Sequence, residues 1–272
     1  MNRHIARIFP RRTKATPMDD MVFFNEPGLF LDGIIEAHIS VTFTWDLPRA
    51  EYLLKEWERV MPTKIGGPAV GTAGADFEPG MYLKPGYVIT SRGCPNHCWF
   101  CSAWKREGDI REFPIREGWN VLDDNLLACS ESHIRAVFDM LKRQPEKAQF
   151  TGGLEAARLK DWHIDLLVDL KPKQIFYAHD TKDDYEPLVE ALGRMTNAGF
   201  NRHTLRVYVL IGFNGDTFEK AERRLLDVTD LGAYPMAMLY RDKSGKTERE
   251  WRRFQRLWAR PASIYRKLKE IV

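Results

Sequence analysis

The chain has 272 residues, 44% hydrophobic and 29% charged, the composition of an ordinary globular protein with one large domain or a domain and a smaller companion. Its formal net charge of +3 is too small to name a partner. No apolar run reaches membrane-spanning length, which argues against a transmembrane helix, and the basic opening Met1–Arg12 lacks the apolar centre of a secretory signal.

Residues 1–85 read as a short α/β preface. Ile5–Phe9 is an expected strand, and His38–Trp45 is a second, rich in β-branched and aromatic residues. Asp46 is the expected N-cap of a helix over Arg49–Val60, with Pro48 in its first turn. Ala50, Leu53, Leu54, Trp57 and Val60 fall on one face of that helix. A third strand over Pro62–Pro68 ends in Gly66-Gly67, so strand, helix and strand make a small Rossmann-like unit. Residues 68–85, rich in Gly, Pro and Ala, read as a linker.

From residue 86 to 240, strands and helices alternate. The expected strands are Gly86–Ser91, Trp119–Asn125, Lys147–Thr151, Gln174–His179, Thr204–Ile211 and Tyr234–Tyr240. The expected helices between and after them are Ser130–Lys142, Leu159–Leu170, Asp184–Ala198, Thr217–Leu231 and Glu248–Leu257, with Ser130 or Ser132 and then Asp216 as N-caps. Such alternation argues for parallel βαβ units.

Three of the four cysteines lie within Gly93-Cys94-Pro95-Asn96-His97-Cys98-Trp99-Phe100-Cys101. Thiolates this close in one loop can wrap a polynuclear iron–sulfur cluster. Three ligands on a cubane leave one iron open to something other than cysteine. A structural zinc site wants four N/S ligands; His97 is the only nearby fourth, and it lies inside the tight loop between Cys94 and Cys98. A disulfide would leave an odd cysteine and needs an oxidising compartment, whereas few cysteines, mostly clustered, point to a reducing cytoplasm.

The Cys-x3-Cys-x2-Cys spacing with Phe100 before the last cysteine resembles the signature of the radical S-adenosylmethionine (radical SAM) superfamily. The resemblance implies a partial (β/α)6 TIM-type barrel, with Cys94, Cys98 and Cys101 holding a [4Fe–4S] cluster whose open iron chelates SAM. It implies reductive cleavage of SAM to a 5′-deoxyadenosyl radical that abstracts hydrogen from a substrate, and a one-electron donor such as flavodoxin or ferredoxin. Gly152-Gly153-Leu154-Glu155 resembles the family's Gly-Gly-Glu motif for the SAM amino group. Leu154 stands where the family has its carboxylate, so Glu155 or backbone carbonyls are left to meet that group; a plain strand-to-helix turn is the other reading. His179 and Asp180, ending the fourth strand, are candidates for the SAM ribose or carboxylate. Gly212, in Val209–Thr217, resembles the adenine-packing motif after the fifth strand, and the sixth-strand backbone about Met238 would meet the adenine edge. Phe100 completes the cofactor-binding set.

Other readings stay open. The preface resembles a cut-down cobalamin-binding domain of one radical SAM branch, through Gly66-Gly67, but lacks Asp-x-His-x-x-Gly; a degenerate domain is the plainer reading. Asp123, Asp124 and Asn125 are substrate-side candidates or solvated loop residues. Cys129 is a lone thiol, either a radical trap or a small buried residue. Residues 241–272 hold 11 Lys/Arg against four Asp/Glu, with Trp251, Phe254, Trp258 and Tyr265 interleaved. They read as an amphipathic capping helix or a nucleic-acid-binding surface. A cobalamin-dependent or nucleic-acid-modifying methyltransferase, and an iron–sulfur electron-transfer module without SAM cleavage, are the alternative functions. The substrate itself is not written in the sequence.

Overall fold

A computed structural model describes residues 4–29, 31–242, 244–259 and 262–266. The chain divides into two compact units, Met1–Gly118 with Lys243–Gly245, and Trp119–Asp242 with Lys246–Val272. The first therefore runs past the linker expected at residues 68–85 and takes in the cysteine loop.

In the first unit, strands β1 (Ile5–Ile8), β2 (Val22–Phe23), β3 (Glu36–Ser40) and β4 (Thr63–Gly66) form a parallel sheet in the order β2-β1-β3-β4. Helix α1 (Leu47–Glu58) is the crossover between β3 and β4. Strand alternation puts Ala37 and Ile39 on one face, where they join Ala6, Ile8, Val41 and the α1 stripe Ala50, Leu53 and Trp57 in one core. Val60 falls beyond the helix end and is exposed, contrary to the periodicity. Asp46 occupies the N-cap position without capping. Its carboxylate instead accepts from Arg11 Nε at 2.8 Å and Nη2 at 2.6 Å. A bidentate arginine pair is the stronger, charge-assisted partner. The buried Arg7 of β1 is held likewise, donating to the carbonyls of Gly80 and Met81 and to Asp19.

The strand expected over Gly86–Ser91 resolves into β5 (Tyr87–Val88) and β6 (Ser91–Arg92). After the cysteine loop come helix α2 (Ala103–Glu107) and β7 (Arg111–Glu112), which pairs antiparallel with β6.

The second unit alternates β8 (Asn120–Val121), α3 (Glu131–Lys142), β9 (Gln149–Phe150), α4 (Asp161–Leu170), β10 (Gln174–His179), α5 (Tyr185–Asn197), β11 (Leu205–Ile211), α6 (Phe218–Asp230), β12 (Tyr234–Leu239) and α7 (Arg249–Leu257). Its strands are parallel in the order β12-β11-β10-β9-β8. Parallel α/β architecture is thus as expected. Pro235 lies within β12, which pairs only with β11 inside this unit, where a missing N–H is tolerated.

The two faces of this sheet differ. Ile175, Tyr177 and His179 alternate on one side of β10, and Leu205, Val207, Val209 and Ile211 on the same side of β11; all are buried. Ring contacts of Phe150 with Phe138 on α3 and of His179 with Tyr185 on α5 identify this as the helix-covered face. The opposite face carries Gln174, Phe176, Arg206, Tyr208, Tyr234 and Met236, all half-buried except the buried Phe176.

The aromatic stripe of α7 packs inward. Trp251 and Phe254 contact Phe218 of α6 at ring separations of 4.3 and 5.4 Å, and Trp258, just past the helix, is buried. Arg252, Arg253 and Arg256 remain exposed. The rest of the basic tail, residues 260–261 and 267–272, lies outside the described residues. No described helix is long and apolar enough to cross a membrane.

Candidate functional site

The cysteine loop is pinched at its base. Ser91 pairs with Glu112 and Arg92 with Arg111 across β6 and β7, and Cys94 N–H donates to Gly108 O at 3.2 Å. A Cβ at Gly93, whose φ is +98°, would overlap the Asp109 carbonyl, so only glycine allows the chain to enter the loop this closely. Cys101 N–H donates to Cys98 O at 3.1 Å, turning the second and third thiols around one bend. Trp104 Nε1 donates to the same carbonyl at 3.1 Å, and its ring lies against His97, 4.6 Å between centroids. His97 is thus partnered with a ring of α2 within this loop.

Glu107 anchors the far side of the loop. Its buried carboxylate accepts from Arg106 Nε at 2.7 Å, Arg111 Nη2 at 2.8 Å and Gly74 N–H at 2.8 Å. Burial pushes its pKa up, but the bonds from Arg106 and Gly74 and the charges of Arg106 and Arg92 outweigh that and hold it below the usual carboxylate range.

All four cysteines are half-buried. Among the described residues no three His, Cys, Asp or Glu side chains converge on one metal-sized point. A mononuclear centre wants such convergence. A cubane is ligated at separate irons by separate thiolates, and sulfur is the donor type that Cys94, Cys98 and Cys101 carry. Phe100, between Cys98 and Cys101, packs edge-on against the exposed Trp99 at 5.4 Å.

In the second unit, the turn after β9 is fixed by backbone proximity. A Cβ on Gly152 would overlap the Asp123 backbone, and Gly153 takes a φ of +95°. Leu154, at the carboxylate position of the resembled motif, is buried and donates its N–H to Phe176 O at 2.7 Å. Glu155 faces elsewhere: its Oε2 accepts from Asn125 Nδ2 and from Arg158 Nε, both at 2.6 Å. Asn125 and Asp123 are buried rather than solvated, and Asp124 is half-buried. Cys129 lies with its Sγ 4.0 Å from Asn125 O.

His179 and Asp180 part company at the end of β10. His179 lies in the helix-covered layer, its Nδ1 buried without a hydrogen-bond partner, and burial lowers its pKa. Asp180, one residue on, accepts from Leu210 N–H at 3.0 Å and so ties the β10 end to β11. Burial, reinforced by the neighbouring Asp184 charge, pushes its pKa up to about 7. Asp184 is committed locally, accepting from Asp180 N–H at 2.9 Å and Thr181 N–H at 2.6 Å.

Gly212 is clamped by Asp216, whose Oδ2 accepts the Gly212 N–H at 2.8 Å. Arg224 braces both, donating to Asp216 at 2.8 Å and Leu210 O at 2.9 Å. Asp216 is therefore not the N-cap; Thr217 Oγ1 caps α6 by accepting from Lys220 N–H at 3.3 Å. Met238, paired with Leu210 in the β11–β12 register, is exposed.

The unit thus brings Asp180 and Leu210 together, and likewise Glu155 and Asn125, but sets His179 apart in the helix layer. Sequence reasoning passed over Gln174, Arg206, Tyr208 and Tyr234 on the second face. The alternation in Leu205-Arg206-Val207-Tyr208-Val209 was the signal for them. No protein-family model matches the chain, and no curated protein matches it significantly.

Proposed function

We propose that the chain is a radical SAM enzyme, with Cys94, Cys98 and Cys101 holding a [4Fe–4S] cluster and the strands forming a partial (β/α)6 barrel. The observation that carries this reading is the loop itself, which holds Cys94, Cys98 and Cys101 at Cys-x3-Cys-x2-Cys spacing on a base fixed by Gly93 and the Cys94 N–H bond to Gly108 O. When bound, the cluster and SAM supply one-electron cleavage of the sulfonium and a carbon radical able to abstract hydrogen.

The chain's own residues have separable tasks. Gly93 and the β6–β7 pairing hold the loop open at a fixed width. Glu107 keeps Arg106 and Arg111 turned into the fold. In the second unit, Gly152 and Gly153 leave backbone exposed to a close-lying ligand, Glu155 held by Asn125 offers a fixed carboxylate to an amino group, and Asp180 offers one to hydroxyls. Gly212 and the Met238 backbone are suited to a flat base. His179, in the helix layer, serves packing in this scheme rather than binding. A protein one-electron donor, flavodoxin or ferredoxin, belongs to the proposal, as does a cytoplasmic setting. The first unit's sheet offers no histidine in a motif for cobalt, so cobalamin is left out.

Anaerobic reconstitution tests the reading. About four irons per chain are expected, with a reduced-cluster electron paramagnetic resonance signal that shifts when SAM is added. Cys98→Ala should lose the cluster. A full complement of iron in Cys98→Ala, or a signal indifferent to SAM, would sink the proposal.

A further inference from the structure

The second face of the β10–β12 sheet is not the face of an ordinary barrel core, which is filled with branched aliphatics. It presents amide, guanidinium, phenol and thioether groups. Arg206 stands near the amino-terminal end of the middle strand, β11, half-buried, opposite Phe176 on β10 and Tyr234 on β12. Its guanidinium lies over the Tyr234 ring at 5.5 Å. With the Gln174 amide oxygen turned toward it, Arg206 donates through Nη2 at 3.3 Å and Nε at 3.2 Å.

Among the described residues, no carboxylate pairs with Arg206. Arg7, Arg106 and Arg224 differ in that each meets an acid. A guanidinium remains charged at any physiological pH, and leaving it half-buried beside neutral groups costs free energy unless an anion completes it. Its surroundings, a tyrosine face and an amide, orient the planar fork without neutralising it. Tyr208, two residues further along β11, stacks on the Phe176 ring at 4.5 Å and pairs with Met236 of β12. Tyr208 is fixed there by its hydroxyl, which donates to Thr151 O at 3.0 Å. From Arg206 to Leu210 the strand rises about 13 Å.

We propose that this face binds an elongated small molecule with an oxyanion, carboxylate or phosphate, at one end and a flat apolar body, and that Arg206 anchors the oxyanion. The body then lies along Tyr208, which the buried Phe176 backs, and Met236, toward the carboxyl ends of the strands. That this molecule is the substrate rests on the radical SAM reading; the binding site does not.

Saturation-transfer NMR on the full chain tests it, with benzoate, phenyl phosphate and neutral benzyl alcohol as probes. At least one anion binds saturably to the wild type, and benzyl alcohol binds about tenfold or more weaker, the value of a hydrogen bond to a charged group. The tighter of the two anions distinguishes carboxylate from phosphate. R206Q loses anion binding by a similar factor, while R206K, which keeps the charge without the fork, falls between. Wild-type binding that ignores charge, no anion binding at all, or R206Q binding as well as wild type overturns the proposal. Should R206Q fail to fold by circular dichroism, R206K and the salt dependence of wild-type binding decide, and affinity unmoved by both overturns it. SAM cleavage in the same wild-type preparation is a separate readout: binding without cleavage removes the radical reading alone, and cleavage without binding removes this one.

Discussion

The fold moves the protonation of Asp180 and of His163 in opposite directions. Asp180 has its pKa raised to about 7 by burial and then by Asp184. The folded state therefore holds its proton more tightly than the unfolded chain, and its contribution is present below the unfolded value and lost as pH rises toward 7. Asp180→Asn keeps an oxygen for Leu210 N–H. The substitution is expected to raise Tm at pH 8 relative to wild type and to change little at pH 5. Equal gains at both values would show that ionisation is not involved. His163 is buried, its Nδ1 accepts from Lys160 N–H at 3.0 Å, and its pKa is lowered to about 4 by burial and then by Lys160. The unfolded chain takes its proton first, so stability present above about pH 6.5 is lost as pH falls toward 4. His163→Gln should flatten thermal stability across that acid range, measured by circular dichroism; an unchanged acid slope would contradict the assignment.

At the scale of elements, what the sequence made legible was periodicity. The α1 stripe Ala50, Leu53, Trp57 and the full span of β10 follow from spacing alone. Capping by aspartate did not follow. Asp46 stands at the N-cap position yet turns to Arg11, while Asp216 sits one residue before the Thr217 cap and is taken by Gly212 N–H and Arg224. A bidentate guanidinium outcompetes a backbone N–H, and nothing in a local window announces that a partner 35 residues away will arrive. For the same reason the site was only partly readable. The cysteine loop is local and was visible, whereas the Asn125–Glu155 bond and the separation of His179 from Asp180 depend on which strand lies beside which. The short strands β8 and β9 also fell below the expected lengths, because β9 ends where Gly152 passes the Asp123 backbone. Gly152→Ala should therefore destabilise the second unit by about 2 kcal/mol or more, the scale of overpacking where backbone must shift. Urea denaturation gives the value, and a change under half a kcal/mol would mean the turn relaxes freely.

For the whole molecule, α7 shows how the tail's first aromatic residues are used. Trp251 and Phe254 are engaged with Phe218, so they are not presented for base stacking. Trp258 is buried, and Trp258→Ala should cost about 3–5 kcal/mol, read as a large fall in Tm; a near-neutral change would mean the segment is not docked. Everything else depends on the loop in the first unit. The most direct test is to reconstitute the full chain anaerobically, add dithionite and SAM, and quantify 5′-deoxyadenosine. 5′-Deoxyadenosine is expected from the wild type and not from Cys94→Ala, Cys98→Ala or Cys101→Ala; an intact cluster that yields none would contradict the radical SAM proposal.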